Sequence, residues 1–168
     1  MTQPQISIRR ATVGDAEALS RLSSRVFPLG CPAETPAEDL AAYMAKELTP
    51  ERFRAYLEDD RVVILVAETP LGLAAYAHLA RESSNAQVQS PLQCEVRRFY
   101  VDAAYHGRGV ADVLMTEALA CLADGGEGAV WLSVFSGNER AIAFYKRWGF
   151  QIVGTQYFLV GSDNQKDY

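Results

Sequence analysis

The stretch Glu95-Val96-Arg97-Arg98-Phe99-Tyr100-Val101-Asp102-Ala103-Ala104-Tyr105-His106-Gly107-Arg108-Gly109-Val110-Ala111 runs straight into Asp112-Val113-Leu114-Met115, and its reading decides the fold. Gln93–Val101 reads as a strand. Gly109–Ala123 reads as a helix with Val113, Leu114, Leu119 and Leu122 near one face. A strand, a short glycine-bearing turn and a helix N-terminus gather unpaired backbone N–H groups and the positive end of a helix dipole around one point, which suits phosphate. Gly107 and Gly109 let the backbone approach such a ligand, Ala111 keeps the first helical turn small, and His106 and Arg108 add charge at the rim. No G-x-x-x-x-G-K-[ST] occurs, and no G-x-G-x-x-G is followed by an acid about 20 residues on, so neither an NTPase loop nor a Rossmann site is supported.

The second informative stretch is Trp131-Leu132-Ser133-Val134-Phe135-Ser136-Gly137-Asn138-Glu139-Arg140-Ala141-Ile142-Ala143-Phe144-Tyr145-Lys146-Arg147-Trp148-Gly149-Phe150. Asn138 is a natural N-cap with Glu139 beside it in the positive first turn, and Gly149 sits just past the helix end. Ala141, Phe144, Tyr145 and Trp148 recur at spacings of three and four, which puts Tyr145 on or beside the buried face. It reads either as a core aromatic whose hydroxyl finds a backbone partner or as a phenol placed for chemistry.

Together the two stretches resemble the GNAT superfamily of acetyl-CoA-dependent N-acetyltransferases. The family's pyrophosphate loop reads Q/R-x-x-G-x-G/A. His106-Gly107-Arg108-Gly109-Val110-Ala111 matches it at Gly109 and Ala111, with His106 in place of the usual Gln or Arg. The family's second motif, N-x-x-A-x-x-F-Y-x-x-x-G-F, is matched by Asn138, Ala141, Phe144, Tyr145, Gly149 and Phe150. The resemblance implies an acyl-CoA N-acyltransferase fold with acetyl-CoA, the co-substrate, in a gap between Gln93–Val101 and Ala129–Phe135. Phe99, Tyr100 and Val101 would line that gap, the backbones of Phe99 and Val101 pairing with pantetheine. His106, Gly107, Arg108, Gly109, Val110 and Ala111 would hold the pyrophosphate, and Asn138 and Tyr145 would approach the thioester.

The reaction so implied is direct attack of a primary amine on the thioester in a ternary complex. An alkylamine with a pKa of about 10.4 must first lose a proton. Tyr145 is expected to protonate the leaving thiolate. Glu95 is expected to be the base, directly or through water. Glu95, Arg97, Phe99 and Val101 point to one face of an extended strand, and the family often carries a carboxylate six residues before the position matching Val101. The competing reading of Glu95 is a salt bridge to a nearby Arg. A strand N–H would stabilise the oxyanion. His78 reads as a hydrogen-bonded strand histidine.

Outward from these stretches, Ile6–Arg9 reads as a first strand and Asp15–Phe27 as a first helix. Thr35-Pro36 and Thr49-Pro50 are cap-plus-proline signals that open helices over Pro36–Leu48 and Pro50–Asp59. Arg61–Glu68 and Leu73–Leu79 read as a hairpin around Thr69-Pro70-Leu71-Gly72, and Arg81–Pro91 as a loop. Further strands are predicted over Ala129–Phe135 and from Phe150 to about Val160, with a helix from Asn138 to Trp148 between them. The order implies a mixed α/β fold, a mostly antiparallel central sheet flanked by helices, in a single domain over residues 1–168. The tail Phe158–Tyr168 and the loop Tyr105–Ala111 look similar to a bacterial polyamine-type subgroup. Such relatives continue past a position like Tyr168 with another apolar strand, so the final strand is expected to be missing.

The chain has 168 residues, 49% of them hydrophobic, and a net charge of −5. The acidic balance argues against a nucleic-acid partner. Cys31, Cys94 and Cys121 form no C-x-x-C, so neither a disulfide framework nor a metal site is expected. No apolar run reaches the roughly 18–20 residues needed to span a bilayer, and a cytoplasmic location is expected, with no membrane partner. A homodimer is compatible with the resemblance. Between Glu34 and Asp60, eight acids face three bases, an acidic rim that would draw in a cationic acceptor, polyamine-like or a peptide amine. The alternative from another class is a non-catalytic acyl-CoA-binding sensor or scaffold, which would not need a phenol at the thioester end.

Overall fold

A computed structural model describes residues 5–126 and 128–168. Five strands form one sheet in chain order: β1 (Ser7–Arg10), β2 (Val62–Thr69), β3 (Gly72–Ala80), β4 (Gln93–Val101) and β5 (Ala129–Trp131). Neighbours are antiparallel except β4 and β5, which run parallel. Helices α1 (Ala16–Val26), α2 (Ala37–Glu47) and α3 (Pro50–Leu57) precede the central hairpin; α4 (Val110–Ala123) follows β4 and α5 (Glu139–Arg147) follows β5. This is the mixed, mostly antiparallel sheet with flanking helices that the sequence implies. Among the described residues no helix is long and apolar enough to cross a membrane.

The alternation of β3 builds both cores. Tyr76 packs with Leu19, Leu22, Phe53 and Val66 under α1 and α3. Ala75, Ala77 and Leu79, on the opposite face, pack with Leu65, Val96, Leu114 and Ala118 under α4. The alanines are small enough for α4 to lie close on the sheet, and that contact fixes where the turn before α4 sits.

Two register shifts interrupt the ladders. In the second, His78 lies opposite Arg98 while Leu79 lies opposite Val96, so Arg97 is the extra residue of a bulge in β4. A one-residue insertion reverses the facing of all that follows it. The expectation that Glu95 shares a face with Phe99 and Val101 is therefore corrected. Glu95, opposite Ala80, shares the face of Arg98 and Tyr100, whereas Val96, Phe99 and Val101 lie on the α4 side.

Further corrections concern the last third and the first cap. The strand expected over Ala129–Phe135 ends at Trp131, because beyond it the chain leaves β4 and bonds the C-terminal segment instead: Val134 and Tyr168 exchange backbone hydrogen bonds, and Phe135 bridges Asp167. The strand expected from Phe150 begins only at Gln156. Gly154 packs where a Cβ would strike Gln87, and Gln87 Nε2 donates to the Thr155 carbonyl (3.1 Å), so residues before Gln156 are held by the 81–91 loop. A strand that the apolar pattern does not signal follows the one that begins at Gln156. β6 (Gln156–Val160) pairs antiparallel with β7 (Asp163–Asp167), whose inward residues Gln165 and Asp167 are polar and so escape any apolar pattern. Thr35 does not cap α2; its hydroxyl donates to Asp163 Oδ2 (2.8 Å) and accepts from Gln165 Nε2 (3.1 Å). Thr49 does cap α3, accepting from Arg52 N.

Leu114 is fully buried and its neighbour Val113 is 47% exposed. Leu114→Ala is expected to cost about 2–5 kcal/mol in urea unfolding, and Val113→Ala no more than about 0.5 kcal/mol. Equal losses would show that α4 does not seat on the sheet by this face.

Candidate active site

β4 and β5 pair only over Gln93–Glu95 and Ala129–Trp131. Beyond that point they diverge, and a cavity of about 860 Å³ opens between them. Its lining includes the turn before α4 and, away from that turn, the polar side chains of Arg98, Tyr43 and Asp167. Of the expected site residues, Glu95, Phe99, Tyr100, Val101, His106, Gly107, Gly109, Ala111, Asn138 and Tyr145 line it. Arg108 is exposed and off the wall, and the Val110 side chain is buried in the α4 core, leaving only its backbone to serve.

At the turn, Gly107 (φ +71°) and Gly109 (φ +77°) adopt left-handed backbone, which side-chain-bearing residues reach only with strain. The N–H groups of the first α4 turn have no helical partner and face the cavity mouth. His106 Nε2 lies 2.9 Å from the Val101 carbonyl, which can only accept, so Nε2 carries the proton and Nδ1 accepts from Arg140 Nη1 (2.6 Å). Where the family motif has a Gln or Arg, this chain uses a neutral imidazole to hold an arginine of α5 at the turn. Asp112 accepts from Arg147 (2.7 Å) and Trp148 Nε1 (3.0 Å), tying the start of α4 to the end of α5. Sequence reasoning missed Arg140, because only the fold brings its helix to the turn.

In the middle of the cavity the Tyr145 ring packs edge-on against Phe99 (6.4 Å) and Phe150 (5.8 Å). Its hydroxyl has no hydrogen-bond partner among the described residues, and burial holds the phenol well above its ordinary pKa, so it keeps its proton. Asn138 Oδ1 caps α5 by accepting from Ala141 N (3.2 Å), which leaves its amide N–H₂ free to donate.

Away from the turn the cavity differs most from expectation. Glu95 Oε2 accepts from Ser83 Oγ (2.6 Å) and Arg97 Nε (3.1 Å), so the salt bridge weighed as its competing role exists. Arg97 and Arg98 stand away from the phosphate turn. Arg98 lies in a cluster of aromatic rings, its guanidinium carbon 5.5 Å from the Tyr56 ring centre and Nη1 3.3 Å from His78 Nδ1. His78 is fully buried on β3; burial, then the charges of Arg98 and Arg97, push its pKa down to about 3, so it is neutral and accepts at Nδ1. A second carboxylate, Asp167 on β7, lines the same cavity. It accepts from Ser133 Oγ (2.6 Å), and burial raises its pKa more than that hydrogen bond lowers it. Neither Arg98 nor Asp167 could be assigned from the sequence: the bulge hides the facing of the first, and the polar strand hides the second. Among the described residues no group of three or more His, Cys, Asp or Glu could hold a metal.

A family model described as "Acetyltransferase (GNAT) family" matches residues 20–150. An uncharacterized N-acetyltransferase from Mycobacterium tuberculosis is 37% identical over 154 residues, covering 92% of this chain and 94% of that protein. The fold is shared with the PaiA N-acetyltransferase from Thermoplasma acidophilum, solved in complex with coenzyme A, at a TM-score of 0.74 and 18% identity, over 97% of this chain and 98% of that one. An aminoglycoside N-acetyltransferase in complex with CoA gives a TM-score of 0.71 at 15% identity, over 96% and 98%.

His78 gives a pH signature. Its folded pKa near 3 lies below the unfolded value of about 6.5, so between those values the unfolded chain binds the extra proton and stability falls as pH drops. The difference in unfolding free energy between wild type and His78→Asn is expected to change by about 1.4 kcal/mol per pH unit below pH 6, read from urea curves at several pH values. A pH-independent difference would mean that His78 is not held neutral.

Proposed function

The chain belongs to the GNAT family of acetyltransferases, and we propose that it moves an acetyl group from acetyl-CoA to a primary amine by direct attack in a ternary complex, within one domain spanning residues 1–168. The observation that carries the reading is the cavity between β4 and β5, with a phosphate-suited turn at one end and, further in, a protonated phenol and two carboxylates. The residues suit acetyl-CoA. Two left-handed glycines, the first turn of α4 and Arg140 would meet the pyrophosphate, and the unpaired edges of β4 and of residues 132–135 would flank the pantetheine.

The chemistry follows from the groups present. The neutral amine nitrogen attacks the thioester carbon, and the charge that develops on the carbonyl oxygen is met by a backbone N–H of the β4 edge that β5 leaves open beyond Glu95. The C–S bond then breaks, and the thiolate takes a proton from Tyr145, which solvent restores. Glu95 removes the amine proton, directly or through water; Asp167, whose raised pKa suits a base, is the second carboxylate within the same cavity. The acceptor is an amine of the polyamine-like or peptide class. None of the eight acids of the Glu34–Asp60 segment lines the cavity, so their part is confined to steering cations from a distance.

Tyr145→Phe is expected to lower kcat about 100-fold in a thiol-release assay with a panel of amines, with acetyl-CoA affinity by calorimetry unchanged. Full activity would remove the acid role, and tight acetyl-CoA binding without turnover of any amine would favour a sensor. Glu95→Gln is expected to lower kcat about 100-fold and abolish the acid limb of the pH profile; if Asp167→Asn does so instead, Asp167 is the base. Steering predicts that kcat/KM for a cationic amine falls as salt rises, and falls less after neutralising Glu38, Asp39 and Glu47.

A further inference from the structure

Arg98 is a half-buried cation with no anion beside it among the described residues. It lines the cavity, and the groups against it are His78, neutral and accepting at Nδ1 from Nη1 at 3.3 Å, the face of Tyr56 and the hydroxyl of Tyr43, which accepts a hydrogen bond from the guanidinium. Tyr43 and Tyr100 also line the cavity, and burial holds both phenols above their ordinary pKa, so neither supplies negative charge. Among the described residues no carboxylate lies within ion-pair distance of Arg98, although Arg9, Arg25, Arg54, Arg61, Arg97 and Arg147 each have one. A desolvated guanidinium is stabilised chiefly by a paired, hydrogen-bonded anion, and its planar fork matches a carboxylate with two parallel hydrogen bonds.

The same cavity holds a carboxylate, Asp167, that is bonded to Ser133 and to no basic side chain among the described residues. A half-buried cation and a buried acid that line one cavity without pairing suit a ligand that brings both charges. We infer that the acceptor is an amine that also carries a carboxylate, an amino acid or short peptide, with Arg98 holding the carboxylate and Asp167 facing the ammonium end. This rests on the acetyl-transfer reading, takes the peptide branch of its acceptor class over the polyamine-like one, and extends that branch to single amino acids. The pairing of His78 with Arg98 then has a purpose: a neutral imidazole on one edge of the guanidinium orients the remaining N–H groups without cancelling their charge. Arg98 is thus a specificity-determining residue, whereas the pyrophosphate is met elsewhere in the cavity by the α4 turn and Arg140.

The experiment uses the full chain with acetyl-CoA and matched pairs of amines differing only in the carboxylate: lysine and cadaverine, phenylalanine and phenethylamine, and a dipeptide and its C-terminal amide. The carboxylate member of at least one pair is expected to have a kcat/KM about 100-fold higher. Arg98→Met is expected to level that pair by raising KM for the carboxylate member, and Arg98→Lys to retain part of the preference. In both variants the affinity for acetyl-CoA, measured by calorimetry without acceptor, is expected to match wild type. Thermal shifts of the acetyl-CoA complex with each compound separate the two readings. Stabilisation by a carboxylate compound that Arg98→Met abolishes supports the site even where no thiol is released. The inference is overturned if the carboxylate-free members are used as well or better, if Arg98→Met weakens acetyl-CoA itself, or if no carboxylate compound either stabilises the complex or is acetylated.

Discussion

Every backbone N–H and C=O taken out of water needs a partner, and β4 beyond Glu95 has one on one side only. β3 pairs with it along its length, while β5 lets go after Trp131. The chain that would have continued β5 satisfies its own groups elsewhere, through the exchange between Val134 and Tyr168 and the bridge from Phe135 to Asp167. The central sheet is thus held open, and an extended ligand backbone could pair with the edge that is left. Cavity, turn and inner wall all follow from that divergence, since α4 begins where β4 ends and β7 closes the side that β5 gives up.

The bulge at Arg97 is the second constraint, and it acts on chemistry as much as on geometry. Without it, alternation would place Glu95 on the side of Phe99 and Val101. With it, Glu95, Arg98 and Tyr100 face the helices α1 to α3, and the apolar residues of β4 face α4. One inserted residue therefore gives the strand an apolar side toward α4 and a side carrying Glu95 and Arg98 toward α1 to α3, and residues of both sides line the cavity. Bulges are common where a strand must re-aim a side chain at a site.

Much of this was legible in the residues, and the exceptions share a cause. The 3.6-residue spacing of α1, α4 and α5, the β-branched run of β2 and the two glycines before α4 each specify local structure strongly, so those elements lie within a few residues of their predicted bounds. Tyr145, His106 and Gly109 could be picked out because a motif places them in a local setting. Arg98, Asp167 and Arg140 could not, since their roles depend on a bulge, on a strand whose inward residues are polar, and on contact between segments far apart in the chain. Periodicity identifies burial by apolarity, so it misses a strand such as Asp163–Asp167, which turns Gln165 and Asp167 inward to hydrogen-bond with Thr35, Asp163 and Ser133.

The alanines of β3 have a consequence of a different kind. Ala75 and Ala77 are wholly enclosed under α4, and a larger side chain at either would lift the helix rather than fill a void. The first turn of that helix is also the phosphate-suited end of the cavity. A drift in core volume would therefore register as a drift in how firmly an anion is gripped many residues away, before any loss of folding. Core volume under β3 and the placing of that turn are therefore one constraint and not two.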